Sequence, residues 1–258
     1  MKDVSEAFTD KKALITYICA GDPKIDATEA IVEALIRGGT DLIELGLPFS
    51  DPIADGPTIQ AATQRALKEG MNPDLFFKLA KKLPGDVPYA VMTYYNLIFH
   101  RGIDRFVRDC KESGISGIIV PDLPPEEAGE LHETSMRYGV HSIHFIAPTT
   151  RRERIERITR DASGFIYLVA RLGVTGARED LKEETRSLIE RVKTPIPKAV
   201  GFGISTPAQV REVIRSGADG AIVGSAIVEI IAKNKDNIRR TCEEVERFTR
   251  RLKEGITG

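Results

Sequence analysis

The chain has 258 residues, 41% of them hydrophobic, with 22 Gly and 14 Pro scattered along it and no linker-like stretch. That length suits one α/β barrel of about 250 residues better than two small domains, and the apolar content is enough for a substantial core. Basic and acidic residues number 37 and 38, a net charge of −1, which excludes a global field that would gather nucleic acid or an anionic membrane surface. No apolar run approaches the ~20 residues that span a bilayer, and the opening Met1-Lys-Asp-Val-Ser-Glu6 lacks the apolar segment of a secretory signal. A cytoplasmic protein with a small or locally recognised partner is therefore expected.

In chain order, a β-branched apolar run at 13–20 precedes an amphipathic helical pattern at 27–37. Strand 41–47 is followed by an extra helical stretch at 58–67 and then helix 73–82. The alternation continues as strand 88–95 with helix 103–113, strand 117–121 with helix 125–138, and strand 141–147 with helix 151–161. It closes as strand 164–170 with helix 179–193, strand 198–203 with helix 207–216, and strand 220–224 with a final helix over 228–253. Three helix-to-strand joints, Arg37-Gly-Gly-Thr-Asp41, Ser113-Gly-Ile-Ser-Gly117 and Ser216-Gly-Ala-Asp-Gly220, each put Gly where a helix ends in a left-handed conformation. Eight such units predict a closed (β/α)8 TIM barrel as a single domain, with a doubly wound open sheet as the alternative. The missing Gly-x-Gly-x-x-Gly turn after the first strand counts against a dinucleotide-binding sheet.

In a barrel, chemistry belongs at the C-terminal ends of the strands. Alternation puts Leu42, Glu44 and Gly46 on one face of the second strand, so Glu44 points into the barrel or its mouth. A carboxyl group between Ile43 and Leu45 loses hydration, which raises its pKa and suits it to proton exchange near neutrality. The competing reading is a buried ion pair, with Lys198 as partner. Asp55, in the loop after that strand, reads either as a second catalytic carboxylate or as the helix cap of Asp55-Gly-Pro-Thr58. Two loops, 47–58 and 171–180, exceed usual βα lengths and are lid candidates.

The glycine turns after strands seven and eight, with Gly201, Gly203, Gly224 and Ser225, match the usual barrel phosphate site, where backbone N–H groups approach an anion. Tyr17, Met92, Tyr94 and Tyr167 on strands line an apolar pocket or pack in the core. His141 and His144 face opposite sides of their strand and do not share a metal. Cys19, Cys110 and Cys242, odd in number and far apart, read as small buried hydrophobes.

The stretch Leu42-Ile-Glu-Leu-Gly-Leu-Pro-Phe-Ser-Asp-Pro-Ile-Ala-Asp-Gly-Pro57 resembles the signature of the tryptophan synthase α-subunit family. Similarity continues through Ala20-Gly-Asp-Pro23, Met92-Thr-Tyr-Tyr-Asn96, Val120-Pro-Asp-Leu-Pro124, Gly173-Val-Thr-Gly176, Gly201-Phe-Gly-Ile-Ser205 and Gly224-Ser-Ala-Ile-Val228, covering nearly the whole chain. The resemblance implies retro-aldol cleavage of indole-3-glycerol phosphate, with Glu44 as the acid–base group and Asp55 stabilising charge at the indole N–H. It further implies Gly176, Gly203, Gly224 and Ser225 as phosphate ligands, Tyr17, Met92 and Tyr167 in the indole pocket, and Thr175 on a mobile lid. Tyr17 stands where relatives often carry Phe, and Ala170 where they often carry Ser, so the resemblance does not fix the pocket's fine shape. The family works in an α2β2 complex, so the resemblance implies a β-subunit partner that carries pyridoxal phosphate and receives indole, with no metal or cofactor on this chain. Two other readings remain: a Schiff-base aldolase acting through Lys198, and a catalytically silent subunit that only binds a partner.

Overall fold

Each strand carries apolar side chains on both faces, and only a parallel sheet covered on both sides buries them all. In the computed structural model, which describes residues 2–169, 183–201 and 203–257, eight parallel strands close into a barrel in sequence order. The strands are β1 (Ala13–Cys19), β2 (Leu42–Gly46), β3 (Tyr89–Met92), β4 (Ile115–Ile119), β5 (His141–Ile146), β6 (Ile166–Val169), β7 (Lys198–Gly201) and β8 (Gly220–Val223). Around them lie α1 (Ala27–Arg37), α2 (Pro57–Lys68), α3 (Pro73–Ala80), α4 (Tyr95–Arg101), α5 (Ile103–Glu112) and α6 (Gly129–Tyr138). The circuit is completed by α7 (Arg152–Asp161), α8 (Glu183–Arg191), α9 (Pro207–Arg215), α10 (Ser225–Lys233) and α11 (Ile238–Thr257). The closed barrel, rather than the open sheet, is therefore the architecture. At the repeated joints Gly39, Gly114 and Gly217 take φ of 93°, 80° and 95°, the left-handed turn expected there.

Side chains sort by strand parity. Ile15, Leu42, Ala90, Ile119, Phe165 and Ile222 meet inside the barrel, whereas Leu14, Ile43, Leu45 and Val91 pack outward against the helices. A 3₁₀ turn, Val4–Phe8, stops the bottom of the barrel: Val4 is fully buried and the Phe8 ring lies 5.6 Å from that of Phe165. The register sets Tyr17 beside Glu44 and Gly46 beside Met92, so the upper inner layer is assembled from residues far apart in the chain. Two glycines make that layer possible. A Cβ on Gly46 would collide with the Tyr17 hydroxyl, and one on Gly201 with the Tyr167 hydroxyl, so each tyrosine ring lies across a glycine of the neighbouring strand.

Three of the departures from the expected boundaries have a visible local cause or add an element. The closing helix is two helices: Asn234 ends α10, its amide donating to the Ile230 carbonyl at 3.0 Å and to Glu244 at 2.8 Å, and the Thr241 hydroxyl donates to the Asn234 carbonyl at 2.9 Å. The first of the two, α10, starts at Ser225 rather than 228. The third strand stops at Met92, and Tyr95 opens an unforeseen helix, α4, because the carboxylate of distant Asp122 accepts the Tyr95 N–H at 2.9 Å. The helix expected over 125–138 begins only at Gly129, after tight turns at 124–128.

Gly46→Ala is expected to lower the unfolding free energy by about 1–3 kcal/mol, the usual range for overpacking. Urea unfolding of this variant and of Gly46→Ala/Tyr17→Phe checks it: the double variant should recover part of the loss, and a neutral single variant would contradict the packing described.

Candidate active site

Glu44 occupies the middle of β2 with its side chain inward, 1% exposed. Its Oε1 has no hydrogen-bond partner among the described residues. Desolvation alone raises its carboxyl from 4.5 to about 8, so at neutral pH it is largely a neutral acid. The ion-pair reading is not what the structure contains. Lys198, at the entrance of β7, donates its ammonium to the Ile189 carbonyl at 3.0 Å and does not line the cavity into which Glu44 faces.

That cavity, about 310 Å³, opens at the C-terminal ends of the strands, a volume at the small end of ligand pockets. Tyr17, Met92, Tyr167 and Ile222 form its apolar side. Burial, the leading cause, pushes both tyrosine hydroxyls well above their ordinary range, so they remain neutral. No Lys, Arg or His lines the cavity among the described residues.

Asp55 reaches the same cavity from the loop between β2 and α2. It does not cap the helix: the cap of α2 is Gly56, with no side-chain bond, and Pro57 takes the first helical position. Burial raises its carboxyl, opposed by a hydrogen bond from the Tyr94 hydroxyl. The same hydroxyl accepts the Ala54 N–H at 3.0 Å, and the Gln60 amide donates to the Asp55 carbonyl at 2.8 Å. At the loop's origin, the Thr93 hydroxyl donates to the Leu47 carbonyl at 3.1 Å. Tyr94 is thus a positioning residue for the Asp55 loop; the sequence marked it only as a pocket or core candidate, since its partner lies 40 positions away.

Gly203, Gly224 and Ser225 line the same cavity. Gly203 has φ of 84°, and Gly224 is the N-cap of α10 with no side-chain bond, so the positive end of that helix starts at residues of the cavity lining. Of the residues expected from the sequence, Glu44, Asp55, Tyr17, Met92, Tyr167, Gly203, Gly224 and Ser225 all meet in this one cavity. Thr175 and Gly176, the 171–180 loop and Ala170 lie outside the described residues.

The remaining candidates have structural roles. His141 Nε2 bonds Asp3 at 2.9 Å, while His144 faces away, its ring 6.2 Å from His132; burial lowers it to about 4. Asp22 in the loop after β1 is held by Arg65 of α2 at 2.6 and 2.9 Å, tying that loop to the helix behind Asp55. Cys19 and Cys110 are buried and all three cysteines are free.

A barrel with a desolvated acid on β2, a second carboxylate on the following loop and a helix start after β8, all lining one cavity at the strands' C-terminal ends, has the arrangement of a barrel enzyme. The family profile described as tryptophan synthase alpha chain matches residues 5–257. The tryptophan synthase alpha chain of Methanosarcina acetivorans is 52% identical over 260 aligned positions, covering 99% of this chain and 94% of that one. That of Methanocaldococcus jannaschii is 51% identical, covering 88% and 82%. Among solved structures, a chain from the tryptophan synthase α2β2 complex of Pyrococcus furiosus superposes with a TM-score of 0.87 at 39% identity, covering 94% of this chain and 98% of that one. The subunit alpha of Legionella pneumophila gives 0.88 at 32%, covering 100% and 99%. This chain belongs to the tryptophan synthase alpha chain family. Among the described residues no helix is long and apolar enough to cross a membrane.

The folded pKa of Glu44, about 8, lies above its unfolded value of 4.5, so its contribution to stability is present below 4.5 and is lost as pH rises through 8. Glu44→Gln, which does not titrate, should therefore be more stable than the unmodified chain at pH 8, by several kcal/mol at about 1.4 kcal/mol per unit, with the gap closing toward pH 5. Equal urea midpoints at both pH values would contradict this.

Proposed function

We propose that this chain cleaves indole-3-glycerol phosphate by a retro-aldol reaction, a carbon–carbon lyase step, and passes the indole to a β subunit in an α2β2 assembly. Breaking the bond between indole C3 and the glycerol chain requires the ring to become an electron sink and the adjacent alcohol to become a carbonyl. Glu44, held as the neutral acid, protonates C3; this converts the enamine of the indole ring into an iminium. The resulting Glu44 carboxylate takes the proton of the neighbouring hydroxyl while the oxygen electrons form the aldehyde. The C–C bond electrons return to the ring, releasing indole and glyceraldehyde 3-phosphate with no net change in protons. Asp55, as a carboxylate, accepts a hydrogen bond from the indole N–H and stabilises its positive charge in the iminium. Tyr17, Met92 and Tyr167 sandwich the ring, and Gly203, Gly224 and Ser225 hold the phosphate; Thr175 and Gly176, which the family resemblance assigns to this site, lie outside the described residues.

One observation carries the reading: a buried carboxyl group with an unpartnered oxygen faces a cavity that a second carboxylate also lines. The mutual activation of the tryptophan synthase α2β2 complex of Pyrococcus furiosus supports the partner. The proposed chemistry draws on no metal or cofactor of this chain; pyridoxal phosphate belongs to the partner's own reaction. It also differs from the Schiff-base alternative, whose lysine, Lys198, lies away from the cavity with its ammonium engaged by Ile189.

Indole release from indole-3-glycerol phosphate, followed with and without a β subunit, tests the proposal. Glu44→Gln and Asp55→Asn should each lose about 10²–10⁴-fold in kcat, the usual worth of a positioned acid–base group. The unmodified chain should lose activity as pH rises through about 8, where Glu44 gives up its proton. Near wild-type rates in both variants would refute the mechanism, and a borohydride-trapped adduct on Lys198 would favour the aldolase.

A further inference from the structure

The phosphate end of the cavity contains a charge of the wrong sign. Glu229, exposed on α10, lines the same cavity as Gly224 and Ser225. It follows Ser225 by four residues, so the two side chains share one face of the helix, with Cβ atoms about 5–6 Å apart. Its Oε1 accepts a hydrogen bond from the Thr58 hydroxyl at 3.4 Å. Thr58 is the second residue of α2, whose positive dipole end favours a carboxylate beside it. The carboxylate is thus drawn toward the cavity from across the rim. The described lining contains Glu44, Asp55 and Glu229 and no basic side chain, so nothing among the described residues of that lining cancels Glu229 there.

Resting on the reading of this end as the phosphate site, we infer that Glu229 is a specificity-determining residue that opposes the charge of the bound phosphate. An anion docking at Gly224 and Ser225 gains the helix N–H groups but meets a like charge one helical turn away. That repulsion lowers affinity for the phosphorylated substrate and the triose-phosphate product alike, and leaves the uncharged indole unaffected. The substrate is then gripped mainly through its ring, and the phosphate is released readily after cleavage. Because Glu229 is exposed, the effect is long-range and screened by salt.

Calorimetric titration of the full chain with glycerol 3-phosphate and, separately, with indole tests this. Glu229→Gln should bind glycerol 3-phosphate about three- to tenfold more tightly at ~0.01 M ionic strength, the gain shrinking to less than about twofold at ~1 M. Its affinity for indole should remain unchanged. Thr58→Val, which removes the tether but keeps the charge, should gain less than Glu229→Gln. Unaltered or weaker glycerol 3-phosphate binding by Glu229→Gln overturns the inference, as does a gain that persists in high salt, extends equally to indole, or is matched by Thr58→Val. If the unmodified chain binds indole but no glycerol 3-phosphate under any salt condition, the phosphate site itself falls and the inference with it. Indifference to Glu229→Gln in a chain that binds the phosphate overturns the inference alone.

Discussion

A carboxylic acid with no counter-ion, set among aliphatic and aromatic side chains inside a closed barrel, is the constraint around which the rest of the site is arranged. Burial penalises the ionised form of Glu44 and nothing nearby among the described residues repays it, so the group stays protonated well above the ordinary carboxylate range. A salt bridge in the same place would hold the group as a permanent anion with no proton to give. The protein retains a locally unfavourable arrangement where chemistry needs it, and the closely packed barrel around it supplies the stability that tolerates it.

The surroundings keep that acid dry and aimed. Glu44 sits on a strand whose both neighbours are paired in register, so its backbone has little freedom. Tyr17 and Tyr167 fill the upper layer only because Gly46 and Gly201 leave room for their rings. Asp55, in contrast, is carried by a loop, and its position depends on contacts from three separate elements: the Tyr94 hydroxyl, the Gln60 amide and, one step further along, the bond from Thr58 to Glu229. In the proposed mechanism the proton donor sits on a paired strand and the charge stabiliser on a loop fastened by side-chain contacts. That division suits the proposed reaction, in which a proton is delivered to one carbon while charge develops at the ring nitrogen.

Strand positions and the barrel class were legible because a parallel strand buried on both faces leaves an unbroken apolar run, punctuated by a glycine at each helix end. Glu44 was legible for the same reason: a charged residue within such a run has no polar surroundings to go to. Asp55 was ambiguous, since a capping aspartate and a catalytic one read alike, and only the structure assigns the cap to Gly56. What the sequence concealed depends on contacts between distant residues. The start of α4 rests on Asp122, the break before α11 on Asn234 and Thr241, and the loop clamp on Tyr94. No local periodicity encodes such pairs. The bearing of Glu229 on the cavity was hidden too, because in sequence it is one more acidic residue on an amphipathic helix.

The protonation state of Glu44 in the folded chain is the most direct measure of the whole account. Infrared difference spectra between the unmodified protein and Glu44→Gln, recorded across a pH titration, isolate the carboxyl stretch of this one group. The account predicts a protonated carboxyl band that persists at neutral pH and disappears with a midpoint near 8. A band already lost by about pH 5, the behaviour of an ordinary solvated glutamate, would contradict it.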